Sequence, residues 1–486
     1  MQALLTPKDM YDLDAYLIDK IGITEGNLME GAALSCSNLI SEYSKHGSKI
    51  LIVCGTGNNG GDGLAIAKYL NNNYNVDFII FGEKSQFNSL SLKNYDILKN
   101  LNVNEIELES IDYSKYDLII DSILGIGSDG SLKDNLVQII SNINKTSAIK
   151  ISIDIPTGLN PYNGIVLTTC IKANYTITMY GYKTGLLLND GKDNCGLISI
   201  ADLGIPKDII ASYASYSLLD NFEIIKKRNN SSKFDYGKVL IIAGNDEMPG
   251  AACLCANSSI SAGAGLVYLV SSIRDTNLYS EIISISVDKY KACVDNEKVD
   301  NLSFINNVDA VIVGPGLGKN EVSKGLLENT LLKYDGCNTI IDADGLNYID
   351  YNRTYNKRVI LTPHIVEFSR LINISLDEIL IDIPKFVKEA AKKMNLNIVL
   401  KGPTTVISNG EDVIFVNNGI PEMATAGSGD VLSGIIGSYI NYDLMDKPIK
   451  NIANAVFIHN YAARKAAENK SLLIASDIYK ALQCIK

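Results

Sequence analysis

The stretch KILIVCGTGNNGGDGLAIAKYL, Lys49 to Leu70, decides the class of fold. Its first six residues are β-prone and largely apolar without alternation, so both faces of that strand must be covered, as in a parallel sheet with helices on each side. A glycine-rich turn follows, and then LAIAKYL, an apolar helix. This order puts the turn beyond the carboxyl end of a strand, where parallel α/β sheets collect ligands. Gly55, Gly57 and Gly60 satisfy the GxGxxG spacing that lets backbone amides and a helix N-terminus approach a pyrophosphate. A dinucleotide reading also needs an acid at the tip of the next strand for a ribose, and Glu83 is the only candidate. The plainer reading is a tight strand-to-helix turn whose Asp62 favours the helix start.

Outward from that stretch the same kind of run recurs in VDFIIF (76–81), DLIID (117–121), IKISID (149–154) and YTITMY (175–180). After Pro206 the pattern gives way to KKRNNSSK (226–233), which is polar, without periodicity, and reads as a linker. A second series then begins: KVLIIAG (238–244), GLVYLVS (265–271), DAVIVG (309–314), TIIDAD (339–344), RVILTP (358–363) and NIVLKG (397–402). After Pro384, Phe386, Val387, Ala390, Ala391 and Met394 follow helical spacing. The expectation is two α/β domains, 1–220 and 226–486, meeting near 215–235, with no internal repeat between them.

Composition agrees with a globular protein. Of 486 residues, 46% are hydrophobic and 20% charged, which excludes disorder over most of the chain. The 44 basic and 55 acidic residues leave a formal charge of −11, a poor basis for binding nucleic acid. The 9 cysteines form no CxxC pair and read as buried thiols, Cys253 and Cys255 included. His46, His364 and His459 are too far apart for a zinc pattern. No apolar leader opens the chain, and the uncharged run Met248–Ile273 carries Asn257 and several serines, so it reads as a core helix and a strand. A cytoplasmic protein without membrane or nucleic-acid partners is expected.

The strand ends carry the chemistry. DLIID ends at Asp121 before SILGIGSDGS, and IKISID ends at Asp154 before IPTGLN, so Asn58, Asn59, Asp121, Asp154 and Thr157 face one edge of the sheet. Single aspartates at strand ends are commonly turn formers, but three polar, glycine-rich ends in register are harder to read that way. LMEGAA (28–33), GTGNNGGDG (55–63), DSILGIG (121–127), DIPTGLN (154–160) and YKTGLLL (182–188) together resemble the NAD(P)HX epimerase family across essentially the whole first domain. The resemblance implies a Rossmann-like three-layer domain that interconverts the R and S epimers of hydrated NAD(P)H. It also implies that Asn58, Asn59, Gly60, Gly61, Asp62 and Gly63, with Gly125, Ile126, Gly127, Ser128, Asp129, Gly130 and Ser131, line the hydrate. By the same resemblance Asn59, Asp121 and Thr157 hold a potassium ion, and Asp154 contacts the hydrate as acid and base. Lys183 reads either as a phosphate contact or as an ordinary surface lysine. Asn160 stands where that family often has Asp, and an Asn makes the same turn.

In the second half, ATAGSGDVLSGIIGSYI (424–440) places Gly427, Ser428 and Gly429 where successive amides converge at a helix start, with Asp430 in its first turn. A carboxylate beside such an anion hole can take a proton from a hydroxyl as a phosphoryl group arrives; capping by Ser428 with Asp430 favouring the dipole is the alternative. GPGLG (314–318), DADGLN (342–347), TPH (362–364) with Glu367, and KGPTT (401–405) again follow strands. This set is similar to the ribokinase-like superfamily, and with KFDYGKVLIIAGNDEMPGAA (233–252) it resembles the ADP- or ATP-dependent NAD(P)HX dehydratases from about residue 225 onward. The resemblance implies a ribokinase-like three-layer domain with Asp430 as the base and Gly427, Ser428 and Gly429 as the anion hole. Lys401, Gly402, Pro403, Thr404 and Thr405, with Gly429 of the anion hole, would contact ADP carried with magnesium, while Ala251, Gly316, His364 and Asp430 would contact the hydrate. Two departures stand out: Ala426 before GSGD, and Pro403, which removes a backbone donor. His364 reads more simply as a buried, hydrogen-bonded histidine, and Asp342 and Asp344 as turn formers.

These readings combine into a bifunctional repair enzyme, expected to be a homo-oligomer, that acts on NADHX and NADPHX with ADP. The competing reading is a kinase of a small hydroxylated vitamin precursor whose N-terminal domain binds nucleotide without catalysis.

Overall fold

Every apolar run singled out in the sequence forms a strand. In a computed structural model, which describes all residues other than 273–276, 295–304, 306, 443–444, 446, 469, 471 and 486, the chain divides into two units, Gln2–Ser217 and Leu218–Lys486. The first unit is built on seven parallel strands lying side by side in the order Asn104–Glu105, Asn75–Ile80, Lys49–Cys54, Leu118–Ser122, Ile149–Ile153, Tyr175–Met179 and Leu197–Ala201. The sequence changes direction of growth at Lys49–Cys54, so the loops after it and after Leu118–Ser122 open a crevice between them.

The uninterrupted apolar runs are explained by two cores. Ile50, Ile52 and Cys54 pack with Ala32, Ala33, Leu64 and Ala67 of helices Glu25–Tyr43 and Asn58–Leu70. Leu51, Val53 and Ile119 pack on the opposite face with Leu136, Ile139, Ile140 and Ile143 of helix Asp134–Lys145. Successive side chains on a strand point to opposite faces, so each strand feeds both cores. A short parallel pair outside this sheet, Gln2–Leu5 with Tyr182–Lys183, places Leu5 opposite Lys183.

The second unit carries nine strands among its described residues, ordered Ile283–Ile285, Leu266–Val270, Lys238–Ile242, Ala310–Val313, Asn338–Ile341, Val359–Leu361, Asn397–Leu400, Thr405–Ser408 and Val413–Val416. Pairing is parallel as far as Asn397–Leu400 and antiparallel over the last two steps. The two antiparallel strands are close to KGPTT and have no counterpart in the apolar runs read from sequence. Val239 and Ile241 join a core with helices Pro249–Ser261, Ser428–Tyr439 and Pro448–Ala467, while Leu240 and Ile242 are buried toward the opposite face. Helix Ile383–Met394 forms where the spacing after Pro384 predicts it and buries Val387, Ala390, Ala391 and Met394.

The polar run 226–233 holds no strand and joins a single 3₁₀ turn, Lys233–Tyr236, at its end. Met248–Ile273 forms helix Pro249–Ser261 and strand Leu266–Val270, its last residue lying outside the described ones. Among the described residues no helix is long and apolar enough to cross a membrane.

Candidate active sites

In the first unit the glycines make the crevice by close approach. A Cβ on Gly55 would fall 2.1 Å from the Ile123 carbonyl oxygen, and one on Gly60 would fall 1.9 Å from the Gly55 carbonyl oxygen, so no other residue fits. The turn thus folded starts helix Asn58–Leu70, and Asn59 in its first turn donates through Nδ2 to the carbonyls of Leu124 (2.9 Å) and Ile153 (3.3 Å). One amide thereby ties three strand-end loops together. Its Oδ1 is buried and has no hydrogen-bond partner.

Beside it, Asp121 is fully buried at the end of its strand. Its carboxylate accepts from the Thr157 hydroxyl (2.6 Å), the Thr157 amide (2.8 Å) and the Ser152 hydroxyl (2.8 Å). Burial pushes its pKa up, and the hydrogen bonds from Thr157 and Ser152 only partly offset this, with no cation in contact. An orphaned amide oxygen, a buried carboxylate and a hydroxyl are the oxygen donors that a monovalent cation needs.

Asp154 lies at the neighbouring strand end with a φ of 68°, a left-handed conformation that Asp tolerates better than most residues. Its Oδ2 accepts the Ile126 amide at 3.1 Å. Lys183 Nζ stands 2.9 Å from its Oδ1 and also donates to Thr178 Oγ1 and the Met179 carbonyl. Lys183 is completely buried and its three donors are all used, so it is neither a surface lysine nor a phosphate contact. Both sequence readings of Lys183 are overturned, because neither anticipated that YKTG folds back beneath the end of IKISID.

Of these groups, Asn59 and Asp154 border a cleft of about 730 Å³. Asn58, Asn59, Asp62, Gly125, Ile126, Gly127, Ser128, Ser131 and Asp154 all lie on its wall. Gly60 and Gly61 are buried behind it, and Asp129 and Gly130 lie off it, Asp129 turning back to accept from Ser131. Asp62 is the fifth residue of its helix, past the first turn, so it does not stabilise the helix start. Glu83 is exposed and also off the wall, which removes the ribose acid of the dinucleotide reading. Asn160 makes the expected turn by accepting the amides of Tyr162 (2.9 Å) and Asn163 (3.1 Å).

In the second unit, helix Ser428–Tyr439 begins at Gly427, whose φ of 86° and close approach to Leu254 (a Cβ would fall 2.3 Å from Cδ1) require glycine. A Cβ on Gly429 would lie 3.1 Å from Lys401 Nζ, so GSGD and KGPTT meet. Lys401 is paired at 2.7 Å with Asp342, which is 1% exposed and also accepts from the Ser433 hydroxyl at 2.7 Å. Burial works against the Lys401 ammonium, but Asp342 more than compensates and holds its pKa above the usual lysine value. The backbone of Asp342 does open a turn, its carbonyl accepting the Gly345 amide, but its side chain pairs with Lys401, which the reading of DADGLN missed; the available signal was an aspartate ending an otherwise apolar strand.

Asp430 is half-buried, and burial followed by repulsion from Asp342 raises its carboxyl to about 7. Such a group holds its proton in acid and gives up its charge-neutral form near neutrality, which suits a base at working pH. Ser428 Oγ lies 3.5 Å from Nε2 of the buried His459, whose pKa burial lowers to about 4. Gly316 and Ala251 are neighbours: a Cβ on Gly316 would fall 2.9 Å from that of Ala251. Asp344 accepts the Gly318 amide at 2.9 Å.

His364 is exposed rather than buried. It caps helix Ile365–Ile372, accepting the amides of Val366 and Glu367 on Nδ1 while Glu367 accepts its own amide at 2.9 Å. Its backbone bridges in parallel to Lys401. Gly402 and Pro403 are exposed, Thr404 donates to Asn417 at 2.7 Å, and Thr405 opens a strand. Cys253 and Cys255 are buried in helix Pro249–Ser261, and burial raises the Cys255 thiol well above its usual value.

Comparison with known proteins agrees with this division. Residues 239–484 match the family described as NAD(P)H-hydrate dehydratase, and residues 25–185 match the family described as YjeF-related protein N-terminus. The chain is 32% identical to the bifunctional NAD(P)H-hydrate repair enzyme of Dictyoglomus turgidum, over 99% of this chain and 97% of that one. It is 30% identical to the enzyme of the same name from Coxiella burnetii, over 100% and 99%. Among solved structures, an ADP/ATP-dependent NAD(P)H-hydrate dehydratase of Bacillus subtilis, co-crystallised with ATP and magnesium, is 28% identical over 53% of this chain and 91% of that one, with a TM-score of 0.46. With both halves matched, and relatives aligned along their full length, the chain belongs to the family of bifunctional NAD(P)H-hydrate repair enzymes.

Proposed function

We propose that the chain repairs hydrated NAD(P)H in two steps: the unit Gln2–Ser217 converts the R hydrate to the S hydrate, and the unit Leu218–Lys486 dehydrates the S hydrate to NAD(P)H at the expense of ADP. The observation that carries the reading is that each unit gathers one catalytic carboxylate with a site for a nucleotide-like ligand. In the first, Asp154 faces the cleft, aimed by the Ile126 amide and Lys183. In the second, Asp430 stands beside the amides of Gly427 to Gly429, with Lys401 alongside.

Asn59, Asp121 and Thr157 fit a potassium ion, since the unpartnered Asn59 Oδ1 and the unneutralised Asp121 carboxylate both call for a cation. When bound, it would supply charge that steadies the loops carrying the hydrate. The chain's own residues do the rest: Asn59 holds the loops of Leu124 and Ile153, and Asp154 acts as acid and base at the hydroxyl of the hydrated ring. In the second unit Asp430 takes the hydroxyl proton as the phosphoryl group arrives, and the amides at Gly427 to Gly429 receive the phosphoryl charge. Magnesium enters with the nucleotide; no cluster of three acidic, His or Cys side chains among the described residues forms a cage for it. ADP is the donor in this reading, the hydrates of both NADH and NADPH are substrates, and the active species is a homo-oligomer.

The test separates dehydratase from kinase. Incubating the chain with S hydrate, ADP and magnesium is expected to yield NADH together with AMP and phosphate in equal amounts. Accumulation of a stable phosphorylated hydrate, without NADH, would point to a kinase instead.

A further inference from the structure

Several titratable groups on the wall of the first cleft are left unused by the mechanism above, and of these Asp62 stands nearest in the chain to Asn59. Asp62 makes no hydrogen bond or ion pair among the described residues, in contrast to Asp154, which is clamped. It sits one helical turn beyond Asn59 on the same face of helix Asn58–Leu70, and both line the cleft. Asn59 and Asp154 converge on one loop: a Cβ on Gly125 would lie 3.2 Å from Asn59 Cβ and 3.1 Å from Asp154 Oδ2. Asp62 thus shares the wall of the cleft with Asp154, near enough for the two carboxyl groups to repel each other.

We propose that the two carboxyl groups have split roles, Asp154 taking the proton from the hydrate's hydroxyl and Asp62 giving one to the ring nitrogen, with Lys183 as the residue that positions Asp154. This rests on the epimerase reading of the unit. The hydrate's hydroxyl is on the carbon bonded to the ring nitrogen. As Asp154 removes the hydroxyl proton, the O–H pair closes a carbonyl, the carbon–nitrogen bond breaks, and its pair goes to nitrogen, which takes the Asp62 proton. Rotation turns the other carbonyl face toward nitrogen. Re-addition returns the nitrogen proton to Asp62 and the Asp154 proton to oxygen, so nothing is oxidised or consumed.

The surroundings favour this split. Burial, then repulsion from Asp154 and Asp14, drives Asp62 toward its neutral form, with Lys183 opposing more weakly. Asp14 is likewise driven toward neutral by burial, against a hydrogen bond from Tyr180 at 2.9 Å, and feels Glu25; the buried Cys36 thiol is the remaining titratable neighbour. A carboxyl kept neutral by its surroundings can donate a proton, which is the role given to Asp62.

The experiment measures R-hydrate consumption by the full chain across pH, for the native protein, Asp62→Asn and Lys183→Met. The native chain should give a bell-shaped kcat profile. Asp62→Asn, isosteric and breaking no ion pair, should lower kcat by ~10²-fold or more with KM unchanged, and lose the alkaline limb. Lys183→Met should move the acid limb upward. An unaltered melting curve for Asp62→Asn certifies folding, and Asp62→Ser provides a second variant should it melt early. Near-native kcat in a folded Asp62 variant, or an effect confined to KM with both limbs kept, overturns the proposal. A native chain inert toward R hydrate overturns the epimerase reading itself.

Discussion

Two buried ion pairs, Lys183 with Asp154 and Lys401 with Asp342, do most to set the electrostatics of the sites, and neither was legible in the sequence. A lysine in YKTG or KGPTT looks solvent-facing until the sheet brings a strand-end carboxylate to it. By contrast Asn59 and Asp430 could be read from glycine-rich helix starts, and Asp121 and Asp154 from strand ends, because a polar residue closing an apolar run has few other uses. Asp342 met the same criterion and was passed over, since DADG also reads as a turn. Removing one partner of a buried pair leaves a stranded charge, so Asp342→Asn should destabilise the second unit by about 3–5 kcal/mol; a denaturant melt reads this directly. Asp430 carries a pH consequence. Its ionised, proton-accepting form gains population as pH rises through about 7, so dehydration of the S hydrate should increase over that range and fall away in acid. A flat rate between pH 5 and 8 would contradict the role given to Asp430.

At the scale of elements, the strands were the most legible feature, since runs such as KILIVC and KVLIIAG are explained by cores on both faces. The short pieces were not. Gln2–Leu5, Tyr182–Lys183 and the pair Thr405–Ser408 and Val413–Val416 depend on tertiary partners rather than on their own pattern, and the first two are what bury Lys183. Glycines that permit helix contact were equally silent. Gly434 in helix Ser428–Tyr439 packs on helix Pro249–Ser261 so closely that a Cβ would fall 2.3 Å from the Cys255 carbonyl oxygen. Gly434→Ala should therefore force the anion-hole helix away, costing roughly 1–3 kcal/mol and lowering dehydration without touching R-to-S conversion. Gly31, whose Cβ would meet nothing, is the neutral control for such a substitution.

For the whole molecule, the claim is that one chain carries two chemically sequential activities in two units, each with its own carboxylate. The activities should separate by mutation: Asp154→Asn should lose R-hydrate consumption while S-hydrate dehydration persists, and Asp430→Asn should do the reverse with ADP still bound. The families at 25–185 and 239–484 account for why the motif sets could be read independently and still agree. The most direct measurement is NADH recovery from a mixed R and S hydrate supplied with ADP and magnesium. Recovery beyond the S fraction, faster than spontaneous epimerisation, is the predicted result. A plateau at the S fraction would contradict the claim that the first unit is an epimerase.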